Sequence, residues 1–181
     1  MTVSYIEGMK DKHKHSTCAI LGGGPTLPQD IDNLPAVDFT FGVNQHSLIM
    51  PLDYLVFIDS KIWPYIQEKK NTTFITRHVP EDTEDKDFIC VRQMQSHNYS
   101  GALAIWVADK MGFDAIYCCG MDQYNDSEQL WWWQGPQLEN EEIRRQRARV
   151  LDPEPMLQFL KSLRNPQKVF FMSGRLKELH Q

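Results

Sequence analysis

Thr17-Cys18-Ala19-Ile20-Leu21-Gly22-Gly23-Gly24-Pro25-Thr26-Leu27 is the stretch on which the fold reading turns. Five residues with an apolar centre, closed by three glycines, predict a buried strand that ends in a tight bend. Helix is predicted to follow over Pro25 to Leu34, with Pro25 suited to a first helical turn. Glycines let a backbone turn sharply and approach a phosphate with no Cβ in the way. The helix start after them offers unpaired N–H groups and a partial positive charge. Gly22, Gly23, Gly24, Pro25 and Thr26 are therefore candidate nucleotide-binding residues. The equally open reading is a tight strand-to-helix turn that binds nothing. A dinucleotide fingerprint is not met, because Leu27 stands where a third glycine is wanted and the next strand exits in Asn44 rather than an acid. No Walker lysine follows the glycines either.

Strand-like runs continue outward from this point. Asp38 to Val43, Asp53 to Ile58, Thr72 to Thr76, Asp87 to Val91, Asp114 to Cys119 and Lys168 to Met172 all read as strands. Ser60 fits the cap of a short helix through Lys69, with Pro64 restricting it. Ser100 fits the cap of the clearest helix, which Gly112 stops and which is apolar on nearly every face from Leu103 to Met111. A helix apolar all round is a buried one. Strands alternating with helices predict an α/β, three-layer Rossmann-like domain, with a mostly parallel sheet and helices on both faces. Residues 1–16 read as a polar N-terminal segment and 17–181 as a single domain, with a lid or insertion over 123–165. That insertion holds Trp131, Trp132 and Trp133, either core or an acceptor platform. A charged helix over Leu138 to Val150 carries Arg144, Arg145, Arg147 and Arg149, either a solvated face or a phosphate clamp.

Strand exits supply further candidates, since ligands of parallel sheets bind outside the carboxyl ends. Asn44 and Gln45, followed by His46, suit a ribose or base because amides both donate and accept. Asp59 could take Mg2+ or a ribose, or simply cap the next helix. Ser100 and Gly101 open a second helix start for a phosphate. His97, just before it, is the candidate catalytic base or acid, and Asp122 after Gly120-Met121 is a second catalytic candidate, a carboxylate that would orient a metal or the acceptor hydroxyl.

Composition narrows the classes. A content of 41% hydrophobic residues in 181 residues supplies a core for one domain, and a net charge of -5 provides no global field for nucleic acid. No apolar run is long enough for a membrane span, and the start lacks the apolar centre of a secretory signal. Cys18, Cys90, Cys118 and Cys119 each sit in an apolar run without a CxxC pair. They read as buried free thiols in a cytoplasmic protein. Oligomeric state is left open.

Taken together, Gly-Gly-Gly-Pro-Thr-Leu (22–27), Val-Asn-Gln (43–45), Ser-Gly (100–101), Gly-Phe-Asp-Ala-Ile-Tyr-Cys-Cys-Gly-Met-Asp-Gln-Tyr (112–124) and the closing Val-Phe-Phe-Met-Ser-Gly (169–174) resemble two related groups. One is the bacterial lipooligosaccharide sialyltransferases, which use a CMP-linked sugar. The other is the 6-hydroxymethylpterin pyrophosphokinase-like family, which shows a strand similar to Pro51–Asp59 here. The resemblance covers Thr17 to Asp122 and the last strand. It implies a Rossmann-like transferase moving a glycosyl or diphosphoryl group to a small acceptor. Its donor would be a CMP-sugar or ATP, with Mg2+ in the second case. The first group would use Gly22 to Gly24, Asn44, Ser100 and Gly101 on the nucleotide. It also carries a catalytic histidine in its lid, whereas this chain has none between Asp122 and Lys177. A non-catalytic nucleotide-binding protein is thus the alternative.

Overall fold

The computed structural model of the chain describes residues 2–45, 50–81, 83, 85–92, 99–121 and 153–180. Its strands are β1 (Thr2–Tyr5), β2 (Thr17–Leu21), β3 (Phe39–Val43), β4 (Tyr54–Val56), β5 (Thr73–Thr76), β6 (Asp87–Cys90), β7 (Ala115–Cys119) and β8 (Val169–Phe171). The α-helices are α1 (Leu27–Asp32), α2 (Trp63–Ile66), α3 (Ser100–Met111), α4 (Glu154–Lys161) and α5 (Gly174–His180). All eight strands lie in one sheet of order β1-β6-β5-β4-β3-β2-β7-β8, and every pairing is parallel. The α/β, three-layer architecture expected from the alternation of elements is therefore the one adopted.

Helix placement follows from the order of the strands. From β2 the chain steps outward through β3, β4, β5 and β6, then returns through α3 to β7 on the other side of β2. Crossovers between parallel strands are right-handed, so reversing the direction of travel moves the connecting helices to the opposite face. The side chains obey this division. On one face, Ala19, Leu21, Leu55, Phe57 and Phe74 pack with Leu27 of α1 and with Trp63 and Ile66 of α2. On the other, Cys18, Ile20, Phe41, Val56 and Ile75 pack with α3, with Met156, Phe159 and Leu160 of α4, and with Leu176 of α5. Consecutive residues of one strand fall into opposite cores because a strand alternates its side chains. A sheet buried on both faces needs the near-continuous apolar runs seen in the sequence.

Helix α3 forms the backbone of the larger core, with eight of its twelve residues buried. Gly112 terminates it at φ +87, the left-handed position that favours glycine. Asp109 is its one buried carboxylate, 4% exposed. It accepts from the backbone N–H groups of Arg164 and Asn165 at 2.8 and 3.1 Å, and so ties the α4–β8 turn to α3.

Several local expectations are corrected. Tyr99 rather than Ser100 is the cap of α3, and it makes no side-chain cap bond. Asp59 rather than Ser60 caps the turn before α2. Helix α1 starts at Leu27 with Pro28 in its first turn, so Pro25 precedes the helix. The sequence reading also lacked β1 and α5. Thr2 to Tyr5 is exposed on both faces, so no alternation marks it; its register with Asp87–Cys90 of β6 supplies the extended shape. The tryptophan triplet and the Leu138–Val150 helix lie outside the described residues, while α4, in the last part of 123–165, packs into the core. All four cysteines are buried free thiols, as expected.

His13 stacks on Phe113 at a centroid distance of 4.8 Å and contacts Phe39 edge-on. Its Nε2 shares a 2.8 Å hydrogen bond with the Tyr54 hydroxyl. Burial, helped by the positive charge of Lys12, holds its pKa below the usual 6.5. The folded protein thus favours neutral imidazole, and on acidification the unfolded chain takes up that proton first. The stability linked to neutral His13 is complete above pH 6.5 and is lost as pH falls through the lowered folded-state value. Thermal melts between pH 8 and 5 should show this decline, and His13→Gln should flatten it in that window while lowering Tm at pH 8.

Candidate active-site crevice

The chain reverses its direction of travel at β2 and β7, and a crevice in a parallel sheet lies outside the carboxyl ends at such a point. Gly22 leaves β2 there and Gly120 leaves β7 beside it. The two turns are laced together, with Gly22 N–H donating to the Cys119 carbonyl and Gly24 N–H to the Gly120 carbonyl, both at 2.8 Å. A Cβ on Gly22 would run into the Gly120 carbonyl oxygen. Gly120 adopts φ +59, and a Cβ there would lie 2.7 Å from Cβ of Leu27. Both glycines are thus required by the crossing of two backbones. The amides of Gly22 and Gly24 face β7, so Gly23 is the glycine of the three whose N–H makes no such bond among the described residues.

Met121 joins this pair of turns to the start of α3. Its Cγ lies 3.2 Å from a Cβ placed on Gly22, and its Cε lies 3.6 Å from one placed on Gly101. The triple-glycine bend and the Ser100–Gly101 helix start therefore open on the same end of the sheet. Twelve residues long and without a side-chain cap, α3 presents its N-terminal N–H groups there.

Asn44, at the exit of β3, adopts φ +55, and its N–H donates to the Val56 carbonyl at 3.0 Å. Asparagine is among the few side chains that accept this region readily. Gln45 follows, half-buried. Its Oε1 is shielded from solvent and has no hydrogen-bond partner among the described residues. A buried acceptor left in that state costs about 1–3 kcal/mol until a donor reaches it.

Asp59 is exposed, and its Oδ1 accepts from the Lys61 N–H at 2.9 Å. No group of three or more His, Cys, Asp or Glu that could hold a metal ion is found among the described residues. The capping reading of Asp59 is thus the one with a visible contact. His97 and Asp122 both lie outside the described residues.

Two residues that sequence reasoning passed over meet beneath the crevice. Asp30 of α1 is 4% exposed. Its Oδ2 accepts from Gly120 N–H at 2.8 Å, from the Ser173 hydroxyl at 2.8 Å and from the Thr26 hydroxyl at 3.1 Å. The Thr26 and Ser173 hydroxyls lie 2.6 Å apart. A signal existed, since Thr26 and Asp30 stand at i,i+4 on one short helix and an acid there faces inward beside Leu27. Nothing in the sequence paired either with Ser173. Burial first, and then the Asp30 charge, pushes the Cys119 thiol up to about 12, so it offers no thiolate.

An open cleft of about 540 Å³ lies elsewhere, at the amino ends of β5 and β6, and is lined by Lys69, Lys70, Lys86, Asp85 and Asp87 among others. None of the candidate residues borders it, and its charges are mixed. The carboxyl-end crevice is the better site on chemistry, because shape alone selects the other one.

Glycine replacements separate packing from ligand approach. Gly120→Ala should lower stability by about 2–5 kcal/mol, combining an unfavourable backbone region with overpacking. Gly22→Ala should also be strongly destabilising, because the contacting atom is backbone. Gly101→Ala meets only ordinary contacts, so its stability should hold or rise by up to about 1 kcal/mol. Chemical denaturation of the three variants checks this ranking. Thiol reagents should leave the native protein unmodified and titrate four cysteines after unfolding.

No protein-family model matches the chain, and no curated protein matches it in sequence. Solved structures do match in fold. The sialyltransferase CstII from Campylobacter jejuni in complex with cytidine-5'-monophosphate aligns over 91% of this chain and 84% of its own, at TM-score 0.57 and 14% identity. The same enzyme with CMP-3FNeuAc aligns over 90% and 84%, at TM-score 0.55 and 16% identity. A variant of Cst-II in complex with CMP aligns over 87% and 81%, at TM-score 0.51 and 14% identity. The chain thus shares the three-layer fold of these sialyltransferases over most of both lengths.

Proposed function

We propose that the chain is a nucleotide-sugar-dependent glycosyltransferase with its donor site in the crevice between the exits of β2 and β7. The observation that carries this reading is the convergence, through Met121, of the glycine bend and the uncapped start of α3. Structures of the same fold that were solved with CMP or a CMP-sugar support it. In this reading the donor's phosphate sits against Gly23, Ser100 and Gly101, where backbone N–H groups and a helix dipole favour an anion. Asn44 and the partnerless Gln45 Oε1 face the ribose or base, which supplies the missing donor. Pro25 shapes the entry to α1. Thr26 belongs to the floor of the site, because its hydroxyl is engaged by Asp30 and Ser173.

Transfer needs a proton taken from the acceptor hydroxyl as the donor bond breaks. His97 or Asp122 performs this step in our reading, as an imidazole or carboxylate general base. Replacing the true base should lower turnover by about 10²–10⁴-fold and leave donor affinity unchanged. His97→Ala and Asp122→Asn, assayed for both quantities, decide between the two. The diphosphoryl-transfer alternative draws nothing from these three neighbours, all of which are sialyltransferases.

Calorimetry with CMP, UDP, ADP and ATP, each with and without Mg2+, tests the donor site. Binding of at least one nucleotide, weakened in Gly101→Val and in Gln45→Leu, is the expected result. No binding at millimolar concentration overturns the reading. The lack of any histidine between Asp122 and Lys177 favours a second reading, a nucleotide-binding protein without turnover. Affinity with no donor cleavage, across a panel of acceptors, would establish that one.

A further inference from the structure

We infer that Asp30 is the positioning residue of the crevice, holding the β2 and β7 turns in the geometry that receives the ligand; this rests on the donor-site reading above. Groups from three separate strand exits converge on one carboxylate oxygen. Gly120 N–H after β7 donates to it. The Thr26 and Ser173 hydroxyls, after β2 and β8, surround it while sharing a 2.6 Å hydrogen bond with each other, so one donates to Asp30 directly and the other through its neighbour. Asp30 is buried, and its bond from the Gly120 N–H is shielded from water. Charge-assisted bonds of this kind are roughly twice as strong as neutral ones. The Gly120 carbonyl in turn accepts from Gly24 N–H, so the clamp reaches the glycine bend through one intermediate residue.

The direction of the effect distinguishes this role from simple electrostatics. A buried negative charge near a phosphate repels it, so an Asp30 that acted by charge alone would weaken binding, and its neutralisation would tighten it. As a positioning residue, Asp30 strengthens binding, and neutralisation weakens it. Asp30→Asn preserves shape and removes the charge. Calorimetry with whichever nucleotide of the panel binds the wild type, below the melting range of the variant, should show affinity falling about tenfold, the equivalent of one well-placed hydrogen bond. Amide hydrogen exchange should accelerate at Gly120 and Gly24 and stay unchanged in β3 to β5. Ser173→Ala leaves the Gly120 bond in place and should give a smaller loss of affinity, which Ser173→Thr restores; this pair keeps the test decisive if Asp30→Asn fails to fold.

Unchanged or tighter binding in Asp30→Asn or Ser173→Ala overturns the proposal, as does a lowered Tm with normal affinity and normal Gly120 exchange. A wild type that binds no nucleotide defeats the donor-site reading instead. In that case, exchange at Gly120 and Gly24 still reports whether Asp30 holds the turns.

Discussion

Two backbones cross where β2 and β7 leave the sheet, and each occupies the space a side chain would need on the other. The Gly120 carbonyl fills the position of a Cβ on Gly22, and Leu27 fills that of a Cβ on Gly120. This close approach allows the paired hydrogen bonds of Gly22 and Gly24. It also brings Met121 against both the bend and the start of α3. Wider spacing at this crossing would remove the lacing bonds and separate the two helix starts. Glycine is needed here because packing demands it, and any use by a ligand builds on that prior requirement.

The remainder of the fold keeps the crossing in place. Reversal of the chain at β2 sends α1 and α2 to one face and α3, α4 and α5 to the other. Burial of a large apolar side chain contributes about 1.5–3 kcal/mol, and two cores press on the central strands from opposite sides. The amino ends of β2 and β3 are closed by other means. Asp38 accepts from the Thr17 N–H at 2.8 Å, and Asp53 accepts from the Thr40 N–H at 2.7 Å. Side-chain acids thus satisfy the first amide of β2 and the second of β3. The carboxyl end has no equivalent closure at α3, whose cap residue makes no side-chain bond. That asymmetry is why the chemistry is assigned to one end of the sheet.

Asp30 shows how a polar group becomes affordable inside such a structure. A carboxylate that excludes water is unfavourable unless it is fully hydrogen-bonded. The Gly120 N–H and the linked Thr26 and Ser173 hydroxyls meet this one, each from a different strand exit. Asp109 solves the same problem on the other face with two backbone N–H groups after α4. Both acids fasten a loop to a helix, but only Asp30 does so beneath the candidate site. Cys18 and Cys118 occupy the opposite extreme, thiols among apolar side chains that burial pushes well up.

Local pattern alone determined the strand-helix alternation, the buried character of α3, its stop at Gly112 and the free state of the thiols, because each depends on near neighbours in the chain. It also marked Gly22, Asn44 and Ser100 as residues at the ends of elements. Local signals misjudged the cap of α3, where Ser100 was favoured but Tyr99 holds the position, and before α2 they offered both Asp59 and Ser60, of which Asp59 is the cap. They missed β1, whose exposed residues carry no alternation and whose shape comes from pairing with β6. Strand order, the meeting of Gly22 with Gly120, and the convergence of Thr26, Gly120 and Ser173 on Asp30 were decided only in the folded molecule. Apart from Thr26 with Asp30, those contacts join residues 90 to 143 positions apart. Such pairings depend on which faces the sheet brings together, and no periodicity within a single segment encodes that.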